Sequence, residues 1–157
     1  MPRTVAILAC PQVQMLDVSG PLDVFAEANR QSGNAEYALR VVGVSSRAIE
    51  TSSGTRIVPS ATIAHGLENL DTLLIAGAPD IRSAPRNLTM LDWVRCWAPQ
   101  ARRYGSICSG AFILAASGVI DGRRITTHWN VAADLQRDYP DIIVEPDAMY
   151  LRDGPVC

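Results

Sequence analysis

The residues most able to do chemistry in this chain lie in Gly105-Ser106-Ile107-Cys108-Ser109-Gly110. A strand is expected to end there, the chain to turn sharply, and a helix to begin at once. Small residues at Ser106 and Gly110 permit the close backbone approach that such a nucleophile elbow needs, as in the Gly-x-Ser-x-Gly turn. A thiol on that turn points out at the carboxyl end of the sheet, where ligands gather in open α/β folds. The helix N-terminus behind it favours the thiolate, so the Cys108 pKa is expected to fall below that of a free cysteine. The competing reading is a buried cysteine that packs as a small hydrophobe.

Two other segments converge on that turn. Gly77-Ala78 follows an apolar strand, and its N–H groups, with that of Ser109, are expected to form an oxyanion hole. Leu16-Asp17-Val18-Ser19-Gly20-Pro21 puts a carboxylate near the carboxyl end of the first strand. Asp17 is either a helix-start acid held by the dipole or an acid facing the sulfur. In a dry pocket such an acid keeps its proton and can hydrogen-bond to sulfur. His128, at another helix start, either approaches the sulfur or caps and packs. His65 reads as a surface loop residue, and Trp93 and Trp129 read as core.

These residues need a scaffold, and the pattern supplies one. Val5 to Cys10, Tyr37 to Val44, Asp71 to Ala76 and Tyr104 to Cys108 read as strands, mostly continuous apolar runs of the kind buried on both faces. Ile49 to Val58 reads as a hairpin about Ser52-Ser53-Gly54. Ser19 is expected to cap a helix with Pro21 in its first turn and Gly33 at its end. Leu88 to Arg103 reads as a helix that Pro99 kinks or shortens. Further helices are expected over Ser109 to Ser117 and from a Thr127 cap to Pro140. Ile142 to Val144 and Met149 to Leu151 read as a closing pair of strands. Strands alternating with helices imply a mostly parallel sheet covered on both faces.

The 157 residues suit one domain, with 48% hydrophobic and 19% charged residues. Net charge is −2, and the basic residues are scattered rather than gathered in a stripe. Such a chain lacks the phosphate contacts that drive nucleic-acid binding. The four cysteines have the spacing of neither a zinc site nor a disulfide framework. No metal or cofactor is expected, and a reducing, cytoplasmic setting is. The first apolar run is too short for a signal peptide or a membrane span.

The Gly77 turn, the Cys108 elbow and Asp17 with its Gly-Pro helix start resemble the ThiJ/PfpI superfamily, relatives of the class I glutamine amidotransferases. Leu16-Asp17-Val18-Ser19-Gly20-Pro21-Leu22-Asp23-Val24-Phe25 and Asp121-Gly122-Arg123-Arg124-Ile125-Thr126-Thr127-His128-Trp129 are similar to one branch, the N-terminal domains of AraC-type transcriptional regulators. The isonitrile hydratases are also similar, sharing the Asp and Cys pair followed by Ser or Thr.

The resemblance covers essentially the whole chain and implies a flavodoxin-like three-layer sandwich. It implies Cys108, Asp17 and Ser109 as active or vestigial catalytic residues, with Gly77, Ala78, Ser109 and His128 around an unknown small-molecule ligand. A homodimer is expected, and DNA contact only through a domain absent from this chain. Ser109 stands where PfpI-type peptidases carry histidine, which argues against proteolysis. Ala78 replaces the second glycine usual in its turn but keeps its N–H. Relatives continue past Asp153-Gly154-Pro155-Val156-Cys157 into a long helix, so the chain reads as a domain lacking its last helix. One apolar face is then expected to need cover from a second copy.

Overall fold

The computed structural model describes residues 1–82 and 87–157. Five strands form one parallel sheet: β1 (Arg3–Ala9), β2 (Tyr37–Gly43), β5 (Ala61–Thr62), β6 (Leu70–Ile75) and β7 (Arg103–Ser106), in the order β5-β2-β1-β6-β7. The central strand β1 is fully enclosed from Val5 to Ala9, and its alternating side chains serve two cores. Ala6 and Leu8 join Leu73, Ile75, Val94, Phe112 and Ile113. Ile7 and Ala9 join Val13, Val18 and Val41 on the other face. The parallel sheet covered on both faces is the one the apolar runs implied, and the fold is the flavodoxin-like three-layer α/β sandwich that the resemblance implied.

Helix α1 (Met15–Ser32) supplies Val18 to the second core; α2 (Leu88–Trp97), α3 (Ala111–Ala116) and α4 (Ala132–Asp138) pack against the first. The hairpin about Ser52-Ser53-Gly54 is present as β3 (Ile49–Glu50) and β4 (Arg56–Ile57). Gly33 ends α1 in the left-handed region, φ 68°, where glycine avoids a Cβ clash. Pro99 converts the end of the second expected helix into a 3₁₀ turn, Ala98–Gln100.

Four local expectations are corrected. Helix α1 begins at Met15, before Ser19, and Pro21 lies inside it. Ser19 is therefore no cap; the missing Pro21 N–H costs one bond, to the carbonyl of Asp17. Thr127 is no cap either: His128 Nδ1 accepts from Asn130 N–H at 3.2 Å, starting a 3₁₀ turn over Trp129–Val131 that leads into α4.

The closing pair of strands is instead β8 (Arg124–Ile125) with β9 (Ile143–Val144), in parallel. Met149 to Leu151 is not a strand, and Met149 and Tyr150 are exposed. Residues 155–157 run alongside β7 instead: Tyr104 N–H donates to Pro155 O and Cys157 N–H to Tyr104 O, both at 2.9 Å. Trp129, expected in the core, is 75% exposed, whereas Trp93 is buried as expected. Trp129 follows the His128 cap outward, so its ring stacks on His128 rather than entering the interior.

Candidate active site

Strand β7 ends at Ser106, and two residues later Cys108 has φ 55°. A non-glycine residue in the left-handed region is uncommon and costs backbone strain, which surrounding contacts must hold. Gly110 allows the turn to close, since a Cβ there would collide with the carbonyl of Ile75. Ile107 N–H, one residue before the sulfur, donates to that same carbonyl at 2.9 Å. The elbow is thus riveted to the carboxyl end of β6.

Gly77 is the second point of close approach. A Cβ at Gly77 would sit 2.8 Å from Ser109 Oγ, 2.9 Å from Asp17 Oδ2 and 2.9 Å from Ser109 N. Its absence lets the α1 acid and the residue after the cysteine share one small volume. Asp17, in the first turn of α1, accepts from Gly77 N–H at 3.0 Å. Ser109 is buried; its Oγ accepts from Ala78 N–H at 3.2 Å and donates to Ala78 O at 3.0 Å. That hydroxyl has one proton and gives it to Ala78.

The residues expected to form an oxyanion hole lie close together, but two of the donors have internal partners. Gly77 N–H serves Asp17 and Ala78 N–H serves Ser109 Oγ.

The electrostatics correct one expectation. The Cys108 thiol is pushed up from its ordinary value, not down: burial is the largest cause, and the Asp17 charge adds to it. The Ser109 N–H pulls the other way and does not outweigh them. The helix behind the sulfur is short and begins as a 3₁₀ turn, Cys108–Gly110, so its dipole is weak support for an anion. Asp17 is also raised, by burial first, against the lowering effects of the Gly77 N–H and the nearby His128 charge. The acid and the thiol are thus each shifted toward the protonated form relative to their ordinary values.

Cys108 lies between two openings. One, of about 230 Å³, is lined by Gln14, Ala78, Pro79, Ser109, His128 and Asn130 among others. The other, of about 440 Å³, carries Trp129, Pro146, Met149 and Thr127 around Cys108 and His128. His128, read as either approaching the sulfur or capping, is seen as a cap: its Nδ1 accepts from Asn130 N–H, and the residue lines both openings. Two residues of this wall were missed in the sequence. Thr127 Oγ1 donates to the carbonyl of Cys108 at 2.9 Å, and Trp129 faces the opening. The signal for Trp129 was its position directly after His128 at a helix start. Among the described residues no group of three metal-ligating side chains converges, and no helix is long and apolar enough to cross a membrane.

A parallel α/β sheet with a strained cysteine at a strand-to-helix elbow and an acid beside it defines a class of cysteine-elbow domains. The chain belongs to the DJ-1/PfpI family, whose family model matches residues 3–154. An uncharacterized protein in the cpoL 5′ region of Streptomyces lividans is 37% identical over 139 residues, 88% of this chain and 96% of that protein. The isonitrile hydratase of Pseudomonas putida is 31% identical over 82% of this chain and 54% of its own length. The HTH-type transcriptional regulator GbdR of Pseudomonas aeruginosa is 26% identical over 90% of this chain, but that stretch is 38% of the regulator. The chain thus spans nearly all of the first relative and about half or less of the other two. Among solved structures, a ThiJ/PfpI family protein from Pseudomonas syringae has a TM-score of 0.85 at 24% identity, covering 99% of this chain and 61% of its own; it shares the fold.

Proposed function

We propose that this domain is the ligand-sensing and dimerising module of an AraC-family type of transcriptional regulator, with Cys108 and its two openings as the ligand site. The carrying observation is that two of the three backbone donors at the elbow, Gly77 N–H and Ala78 N–H, are already engaged within the site. Acyl transfer needs free donors where an oxyanion develops. A site with two of its donors engaged is better suited to hold a ligand than to turn over an ester or amide. The exposed Trp129 ring and Met149 supply apolar contact beside the thiol. Leu16 and Val24, both exposed and two turns apart on α1, favour self-association through that helix.

One observation favours a second reading, an isonitrile hydratase-like enzyme. The pKa values of Asp17 and Cys108 are both raised, and adding a thiol to an isonitrile carbon needs a proton donor but creates no oxyanion in its first step. The thiol proton moves through Asp17 to that carbon as sulfur bonds to it, giving a thioimidate. Water then adds across the C=N bond, and the C–S bond breaks to return the thiol and release an N-substituted formamide.

Incubation with cyclohexyl isocyanide, followed by quantification of the formamide, separates the two. The sensing reading predicts no multiple turnover; turnover that disappears in Cys108→Ser overturns it. The regulator assignment further predicts that the gene continues past codon 157 into a basic segment with helix-turn-helix patterns. A stop codon within about one further helix would overturn it.

A further inference from the structure

The strain at Cys108 raises the question of what holds it. The peptide linking Cys108 to Ser109 is planar and trans, so its carbonyl and its N–H point in opposite directions. The N–H end is near enough to the Cys108 sulfur to pull its thiol pKa down. The carbonyl end is gripped at 2.9 Å by the hydroxyl of half-buried Thr127, which belongs to the loop between β8 and α4, far away in sequence. Fixing one end of a rigid plane fixes the other.

We infer that Thr127 is a positioning residue: by holding the Cys108 carbonyl, its hydroxyl orients the peptide plane whose N–H acts on the sulfur. The same bond ties the elbow to the wall that carries His128 and Trp129, the two residues next along the chain. Because φ of Cys108 is 55°, the plane is not held by ordinary backbone preference; outside contacts hold it, and the Thr127 grip is the one made to its carbonyl. A bond to the carbonyl also polarises the peptide and strengthens the N–H as a donor. A purely structural threonine would stabilise the loop and leave the sulfur's proton affinity unchanged.

The inference rests on the reading of Cys108 as the site's working thiol, and its test is built to fail separately from that reading. Iodoacetamide labelling with peptide mapping follows Cys108 across pH in the wild type, Thr127→Val and Thr127→Ser, with melting temperatures measured in parallel. Valine keeps the shape and removes the hydroxyl; serine restores the hydroxyl alone. Thr127→Val is expected to slow Cys108 labelling at neutral pH roughly 3- to 10-fold, the size of one lost hydrogen bond, and to move the labelling midpoint upward. Thr127→Ser is expected to return both to wild-type values even if its melting temperature falls. Unchanged Cys108 labelling in Thr127→Val overturns the inference, as does a serine variant that fails to restore it. If Thr127→Val does not fold, Thr127→Ala carries the same comparison with Thr127→Ser. Independently, a wild-type Cys108 that labels no faster than buried Cys10 overturns the working-thiol reading, whatever the variants do.

Discussion

Two cysteines follow strands of the same sheet and meet opposite fates. Cys10 succeeds β1 and is buried, its thiol 3.3 Å from Met90 Sδ and pushed up to about 11 by burial alone. Cys108 follows β7 and is half-buried, in a left-handed turn, with a backbone N–H, a hydroxyl and an acid around it. Strand position alone therefore does not make a reactive thiol. The difference lies in the chain beyond the strand: a proline turn after Cys10, and at Cys108 an elbow that only Gly77 and Gly110 allow to close.

The comparison breaks most drastically at Gly110. Gly110→Ala forces a methyl group into the Ile75 carbonyl, and a loss of about 3 kcal/mol or more is expected, read as a lower urea midpoint. A fully stable variant would show that the elbow is looser than described. The next contrast is chemical. In native protein at neutral pH, Cys10 should label with iodoacetamide about 100-fold or more slowly than Cys108, and denaturing urea should erase the gap. Equal native rates would mean that burial does not distinguish the two strand ends.

Ser109→Ala sharpens the picture more gently. It leaves the buried Ala78 N–H without its acceptor, and the expected cost is about 1–3 kcal/mol in denaturant unfolding. Asp17→Asn should have the smallest effect on stability and the opposite sign. The folded pKa of Asp17 is raised, so the folded state holds its proton more tightly than the unfolded state does. Its contribution is fully present below the unfolded carboxyl range and is lost as pH rises through the folded value. Asparagine should therefore stabilise the protein at neutral pH by less than about 1 kcal/mol after solvent screening, with the gain shrinking toward acid pH. A variant equally less stable at every pH would contradict this assignment.

Much of the fold was legible because buried parallel strands are apolar runs: β1, β2, β6 and β7 stood close to where the pattern put them. The misplaced elements are those whose limits are set by distant contacts. The start of α1 depends on Gln14 N–H reaching Gly77 O and on Asp17 meeting Gly77, neither of which has a local signature. The two-residue strands β5, β8 and β9 are defined by their partners, too short for any periodicity. At the site, the residue types that converge were visible in the glycine turns, Asp17 and Cys108. The direction of the Cys108 shift was not, because a helix-dipole argument presumes a helix longer than six-residue α3. Trp129 was misplaced because tryptophan is usually buried, whereas here the preceding cap turns it outward.

The central claim is that partial burial and the neighbouring Asp17 charge together raise the proton affinity of Cys108. The most direct test is the pH dependence of Cys108 alkylation in the wild type and in Asp17→Asn, read peptide by peptide. Asparagine keeps an acceptor for Gly77 N–H and removes the charge that pushes the thiol up. The labelling midpoint of Cys108 should move to lower pH in Asp17→Asn, with those of Cys96 and Cys157 unmoved. Superimposable wild-type and Asp17→Asn curves for Cys108 would contradict the account.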